Sequence, residues 1–166
     1  MQMSELFRKF THYFRERQMQ LNLPQYDARL RRTASGAVQI YDELRRKYVA
    51  LTPEEWVRQH FVHWLLSAKG YPASLTANEV GLRLNGTLRR CDTVVFGTDG
   101  CPAVVVEYKA PEVAVTQKVF DQIARYNLVM RARYLVVSNG VDHYCCRYDH
   151  ATGRYAFMRE VPSWQD

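Results

Sequence analysis

The sequence predicts an α/β sandwich, a mixed sheet covered by helices, on three observations. A capped amphipathic helix opens at Thr52. Apolar runs of strand length follow at 79–84, 91–96 and 103–108, the last two joined by Asp99-Gly100. A second helical segment over 115–131 then separates these runs from two more, at 134–138 and 143–148. Helix, strands, helix, strands is the order of a layered fold whose helices pack on the sheet.

The first helix is the best-defined element. Thr52 is an N-cap, Pro53 sits at the first helical position, and Glu55 at N3 completes a capping-box pattern. Trp56, Val57, His60, Phe61, Trp64 and Leu65 recur at three- and four-residue spacing, and Gly70 with Pro72 ends the segment. His60 and His63 read as core or rim residues of this helix. Upstream, residues 21–41 read as extended pieces around the turn-forming Thr33-Ala34-Ser35-Gly36, a loose hairpin. Leu6, Phe7, Phe10, Tyr13 and Phe14 lie at helical spacing, so residues 1–18 are expected to be a helical N-terminal extension to a single domain over 19–166.

Composition bounds the function. A chain of 166 residues, 47% apolar and 24% charged, suits one globular core. No apolar stretch approaches the ~18 residues of a membrane span, and the charged N-terminus lacks the apolar core of a signal peptide. A membrane protein, a secreted disulfide scaffold and a coiled coil are therefore not expected. Cys91, Cys101, Cys145 and Cys146 are expected as reduced thiols in a cytoplasmic protein. Cys145-Cys146 with His143 and His150 does not match a zinc-ligand spacing.

The net charge of +6 is concentrated in residues 1–50, where ten Lys and Arg face five Asp and Glu. Arg45, Arg46 and Lys47, with Arg89, Arg90 and Arg125, are candidates for gripping a phosphate backbone. A solvated basic face is the alternative.

The hairpin carries the chemistry. With Asp99 and Gly100 as the central residues of a two-residue turn, Asp92 faces Glu107 and Arg90 faces Lys109. Alternation puts Asp92, Val94, Phe96, Val105, Glu107 and Lys109 on one side, and Thr93, Val95, Val104, Val106 and Tyr108 on the other. Both sides are largely apolar, so the hairpin belongs inside a covered sheet. Like charges directly opposed, with Cβ atoms about 4.5–5.5 Å apart, repel. A hard divalent cation taking oxygen ligands from both carboxylates relieves that repulsion, and Mg²⁺ suits such a set. The alternative is a salt-bridged strand end with Lys109 paired to Glu107.

Asp92 followed by Glu107-Tyr108-Lys109 resembles the PD-(D/E)XK nuclease signature. Leu51-Thr52-Pro53-Glu54-Glu55-Trp56-Val57-Arg58-Gln59, Val106-Glu107-Tyr108-Lys109-Ala110-Pro111, Phe120-Asp121-Gln122-Ile123-Ala124-Arg125-Tyr126-Asn127 and Ser138-Asn139-Gly140 occur in that order. Together they resemble the N-terminal nuclease domain of type I restriction enzyme R subunits, in a short stand-alone bacterial form, over residue 21 to the C-terminus. The resemblance implies a restriction-endonuclease-like three-layer sandwich and a Mg²⁺-dependent DNA endonuclease, with Mn²⁺ able to substitute. It implies Asp92 and Glu107 as metal ligands with the main-chain carbonyl of Tyr108, and Lys109 as the catalytic lysine. Gln122 and Tyr126 match the family's Gln-x-x-x-Tyr pattern, and Glu55 or Glu54 is the candidate carboxylate from the first helix. Cys91 stands where the signature has Pro. The sequence has no G-x-x-x-x-G-K-[ST] phosphate loop, so a motor is expected from a partner; it shows no separate DNA-recognition module, and targeting is expected from either its own basic N-terminal region or a partner. Cutting both strands of DNA would need two sites, so a homodimer is an expectation. A non-catalytic DNA-binding or partner-docking module that keeps the fold is the rival reading.

Overall fold

The computed structural model describes residues 21–164; the expected N-terminal helix lies outside them. A six-stranded sheet forms the centre, in the order β4 (Thr76–Leu84), β5 (Thr87–Phe96), β6 (Pro102–Tyr108), β7 (Tyr134–Ser138), β8 (His143–Asp149) and β9 (Arg154–Met158). All neighbours are antiparallel except β6 and β7. Parallel neighbours need a long crossover, supplied here by the second helix, α2 (Gln117–Met130).

Alternation along the central strands divides the core. Val95, Val104, Val106 and Tyr108 pack with Val136 against Val57, Phe61 and Leu65 of the first helix, α1 (Pro53–Ser67). Val94 and Val105, with Leu135 and Val137, pack against Val119 and Ile123 of α2. The sheet is thus apolar on both faces and covered on both, as the double-sided hairpin requires.

Helix α1 begins as its sequence dictates, with Thr52 Oγ1 accepting the Glu55 N–H at 3.1 Å. The reciprocal half of the capping box is replaced, because the Glu55 carboxylate turns to Arg45 and Gln59. At its end Gly70 takes φ +74 while the Tyr71 N–H returns to the Leu65 carbonyl at 3.1 Å.

Two parts of the architecture differ from the sequence reading. The loose hairpin is two strands of a separate sheet, β1 (Leu30–Arg32), β2 (Val38–Asp42) and β3 (Lys47–Ala50). The third strand has four residues and almost no apolar alternation. Strand β9 was also not expected, because it is an edge strand whose side chains are mostly exposed.

The β5–β6 turn differs in a third way. The Gly97 N–H bonds the Cys101 carbonyl and the Gly100 N–H bonds the Gly97 carbonyl, leaving a three-residue loop with Gly100 at φ +80. A register shift between Val95 and Phe96 then restores the expected pairing, Thr93 with Val106 and Val95 with Val104.

Candidate active site

Strands β4 and β5 turn over where the acidic residues sit. Asn78 and Thr93 are cross-strand partners bonded side chain to side chain at 2.7 Å, and Thr93 also receives the Tyr108 hydroxyl on the α1 side. Two residues along each strand, Val80 and Cys91 pack on the α2 side. An uninterrupted strand keeps residues i and i+2 on one face. The interruption falls at Glu79, a non-glycine residue at φ +58, and at Asp92 facing it. At this inversion both carboxylates meet the Arg58 guanidinium, Glu79 at 2.6 Å and Asp92 at 3.3 Å.

Asp92 is held from two directions. Its Oδ2 accepts the Tyr108 N–H at 2.8 Å, and its Oδ1 accepts from Arg58 Nη2 at 3.3 Å. Burial pushes its carboxyl above the usual range, against the opposing pull of the Tyr108 N–H and Arg58. Glu107, the penultimate residue of β6, is buried. Its Oε1 accepts from Gln122 Nε2 at 3.3 Å, while its buried Oε2 has no hydrogen-bond partner among the described residues. Burial, and then the Asp92 charge, pushes its carboxyl up to about 8, with Lys109 and Arg58 pulling the other way. Two carboxylates whose charges act on each other therefore leave one buried oxygen, Glu107 Oε2, without a donor among the described residues.

Lys109 follows β6 and is half-buried, anchored by its N–H to the Ser138 carbonyl at 2.9 Å. Gln122 and Tyr126 are one turn apart on α2 and so share a face of the helix; Gln122 Nε2 lies 3.2 Å from the Tyr126 hydroxyl and 3.3 Å from Glu107 Oε1 on β6. The spacing read from sequence thus corresponds to a bonded chain from Tyr126 through Gln122 to Glu107.

Glu55 has a different setting from the one expected. Its Oε1 accepts from Arg45 Nη2 and Gln59 Nε2, both at 2.8 Å, and it is one residue removed from Asp92 through Arg58. Glu54 is exposed, though its charge acts on both Asp92 and Glu107. Arg45 is not a free phosphate ligand: Asp42 and Glu55 clamp it. Arg46, Lys47, Arg89 and Arg125 are exposed. Arg90 pairs with Gly81 across β4 and β5 and lies 3.7 Å from Glu79, and the β5–β6 ladder ends at Thr93 and Val106, short of the expected Arg90–Lys109 pair.

Sequence reasoning missed Arg58 and Glu79. Arg58 is buried and sits 2.6 Å from Glu79 and 3.3 Å from Asp92. Its signal was available: it lies three and four residues before the core positions Phe61 and Val62, a charge on an apolar stripe. Glu79 gave no such signal, since its role follows from a backbone inversion. Asp42 was also missed. Burial alone would raise its pKa, but bonds from the Arg45 N–H, Asn78 and the Arg45 side chain outweigh that and lower it.

No group of three or more His, Cys, Asp or Glu side chains arranged to hold a metal occurs among the described residues. Cys145 and Cys146 are buried core thiols, pushed up to about 12 and about 11 by burial.

The family model described as type I restriction enzyme R protein N terminus (HSDR_N) matches residues 53–162. The chain belongs to this family. The span matched in this HSDR_N protein runs from the start of α1 past β9 and leaves the β1–β3 sheet outside. Among solved structures it is similar to a fragment assigned to an HsdR subunit of a type I restriction enzyme from Vibrio vulnificus YJ016. The match has 19% identity and a TM-score of 0.50, and covers 68% of this chain and 24% of that one. The HSDR_N protein thus spans about a quarter of that chain and shares its restriction-endonuclease-like fold. No curated protein matches the sequence. No helix among the described residues is long and apolar enough to cross a membrane.

Proposed function

We propose that this HSDR_N protein is a metal-dependent DNA endonuclease that hydrolyses phosphodiester bonds at Asp92, Glu107 and Lys109. The observation that carries the reading is the carboxylate pair, drawn together at the end of β6 with Glu107 Oε2 buried and unpartnered. An orphaned carboxylate oxygen beside a second carboxylate is a hard-oxygen donor set. Mg²⁺ characteristically takes one or two protein carboxylates and completes its shell with waters and phosphate oxygens, so a pair suffices.

In this reading Asp92 and Glu107 would hold Mg²⁺ or Mn²⁺, helped by the main-chain carbonyl of Tyr108, and a bound ion would supply charge stabilisation at the scissile phosphate and lower the pKa of a water. Lys109 donates hydrogen bonds that orient the attacking water and offset the charge building on the phosphate. The water oxygen would bond to phosphorus and release a proton to solvent as one bridging P–O bond breaks, and the leaving oxygen would take a proton from solvent water. Gln122 fixes the Glu107 carboxylate through Nε2, and Tyr126 fixes Gln122. Arg46, Lys47, Arg89 and Arg125 contact backbone phosphates, which position DNA with little base readout. Motor and specificity functions come from a partner, and cutting both strands draws on two copies of the site.

One observation favours the rival module: Arg58 already places a positive charge on Asp92. The two readings separate on an end-labelled duplex incubated with Mg²⁺, Mn²⁺ or Ca²⁺. The nuclease yields shortened labelled strands with Mg²⁺ or Mn²⁺, and none after chelation. A folded protein that binds the duplex and leaves it intact with every metal is the module.

A further inference from the structure

Arg58 is a buried cation that the proposed chemistry does not use. Its side chain is 8% exposed, and three carboxylates converge on it. Nη2 lies 2.6 Å from Glu79 Oε1 and 3.3 Å from Asp92 Oδ1, and Nη1 lies 3.6 Å from Glu55 Oε2. Nε and Nη1 have no hydrogen-bond partner among the described residues. A guanidinium carries five N–H donors in a fixed fork, and leaving buried donors unsatisfied is costly. Hydrogen bonding alone therefore does not account for this position. Charge does: without Arg58, four carboxylates (Glu55, Glu79, Asp92 and Glu107) share one partly buried cluster.

The contacts of Nη2 are unequal. The one to Glu79 is short, and the one to Asp92 is at the long limit of a charged hydrogen bond. Glu79 reaches Arg58 because its backbone sits at φ +58, where the strand pair turns over. A cation already bonded to Asp92 and a divalent ion arriving at Asp92 are like charges competing for one carboxylate.

We propose that Arg58 is a resident counter-ion that competes with a divalent cation for Asp92, and that Glu79 is the carboxylate onto which it withdraws, so that this pair sets the metal affinity of the site. The inference rests on the reading of Asp92 and Glu107 as metal ligands. Arg58 and Glu79 are positioning residues here, acting through Asp92. Their effects on metal binding have opposite signs.

The test is Mn²⁺ binding to the full chain, by calorimetric titration and by the loss of the free-ion electron paramagnetic resonance signal, with Asp92→Asn defining the site. Arg58→Gln is expected to tighten Mn²⁺ binding at least about tenfold, since a nearby unit charge at a protein surface is worth that much or more. Glu79→Gln is expected to weaken it, because Arg58 then rests wholly on Asp92. In the Arg58→Gln background most of the Glu79→Gln loss disappears. Arg58→Lys, which keeps the charge, stays closer to wild type than Arg58→Gln. If Arg58→Gln fails to fold, the sign of the Glu79→Gln effect decides: unchanged or tighter binding overturns the proposal. Wild-type binding through Asp92 that is equal or weaker in Arg58→Gln overturns this inference alone. No Asp92-dependent binding in any variant overturns the metal reading with it.

Discussion

Gln122 Nε2 stands 3.3 Å from Glu107 Oε1 and 3.2 Å from the Tyr126 hydroxyl, so one amide links the buried carboxylate of β6 to the surface of α2. The link spans two elements joined by the crossover that also makes β6 and β7 parallel. Residues on a helix thereby bear on a carboxylate fixed by a strand. Gln122→Ala removes the donor to Glu107 Oε1, and in the nuclease reading it lowers cleavage by about 10–100-fold, the usual scale for an outer-shell contact. Tyr126→Phe costs less and adds little in the Gln122→Ala background, because the two act through the same bond. Initial cleavage rates of the two single variants and the double variant check this.

Glu107 also gives the protein a pH signature. Its carboxyl is pushed up to about 8 from an ordinary 4.5, so between those values the folded chain binds a proton that the unfolded chain has lost. Stability of the metal-free protein therefore falls as pH rises through that window. Glu107→Gln removes the slope and raises the melting temperature at pH 8. Melting curves in chelator across pH 5 to 9, wild type against variant, give the comparison. Adding Mg²⁺ or Mn²⁺ raises the wild-type melting temperature and leaves Glu107→Gln nearly unmoved.

Among the basic residues, adjacent arginines are predicted to behave differently. Arg45 is clamped between Asp42, 0% exposed, and Glu55. Arg45→Ala removes the cation shared by these two carboxylates, leaving the buried Asp42 with neutral donors only and Glu55 with Gln59 and the more distant Arg58, and costs about 3–5 kcal/mol in denaturant unfolding. Arg46 is exposed in the same turn. Arg46→Ala changes stability by less than about 0.5 kcal/mol. In the DNA-binding reading it reduces the salt dependence of affinity by about one counter-ion.

Gly140 is the position where backbone freedom matters most near the site. It takes φ +84, and a Cβ there would stand 2.6 Å from Leu21 Cδ2 and 3.0 Å from Val57 Cγ2. Its carbonyl also accepts the Asn22 N–H at 2.7 Å. Gly140→Ala is expected to cost about 2–4 kcal/mol, from left-handed strain and crowding of the α1 packing together. Urea unfolding measures it.

Much of this arrangement was legible in the residues. The cap at Thr52, the strand period around Val94 and Val105, and the i, i+4 spacing of Gln122 and Tyr126 each act over a few residues, and each has a local physical cause. The Asp99-Gly100 signal led to the correct register with the wrong turn: a three-residue loop and a compensating bulge at Val95–Phe96 cancel. What was not legible depended on distance or on inversion. Glu79 reaches Arg58 only because β4 turns over. Asp42 and Arg45 meet Glu55 and Asn78 only once the small sheet lies against α1 and β4. Strand β9, exposed along most of its length, had no burial to pattern its sequence.

The most direct measurement of the central claim is conversion of supercoiled plasmid to nicked and linear forms in Mg²⁺ or Mn²⁺, by wild type, Asp92→Asn and Lys109→Ala. The circular dichroism of all three must match. The account predicts metal-dependent cutting by wild type and none by either variant. Cutting that survives in both folded variants would contradict the assignment of the site. A wild type that binds the plasmid and leaves it supercoiled in both metals would contradict the nuclease itself.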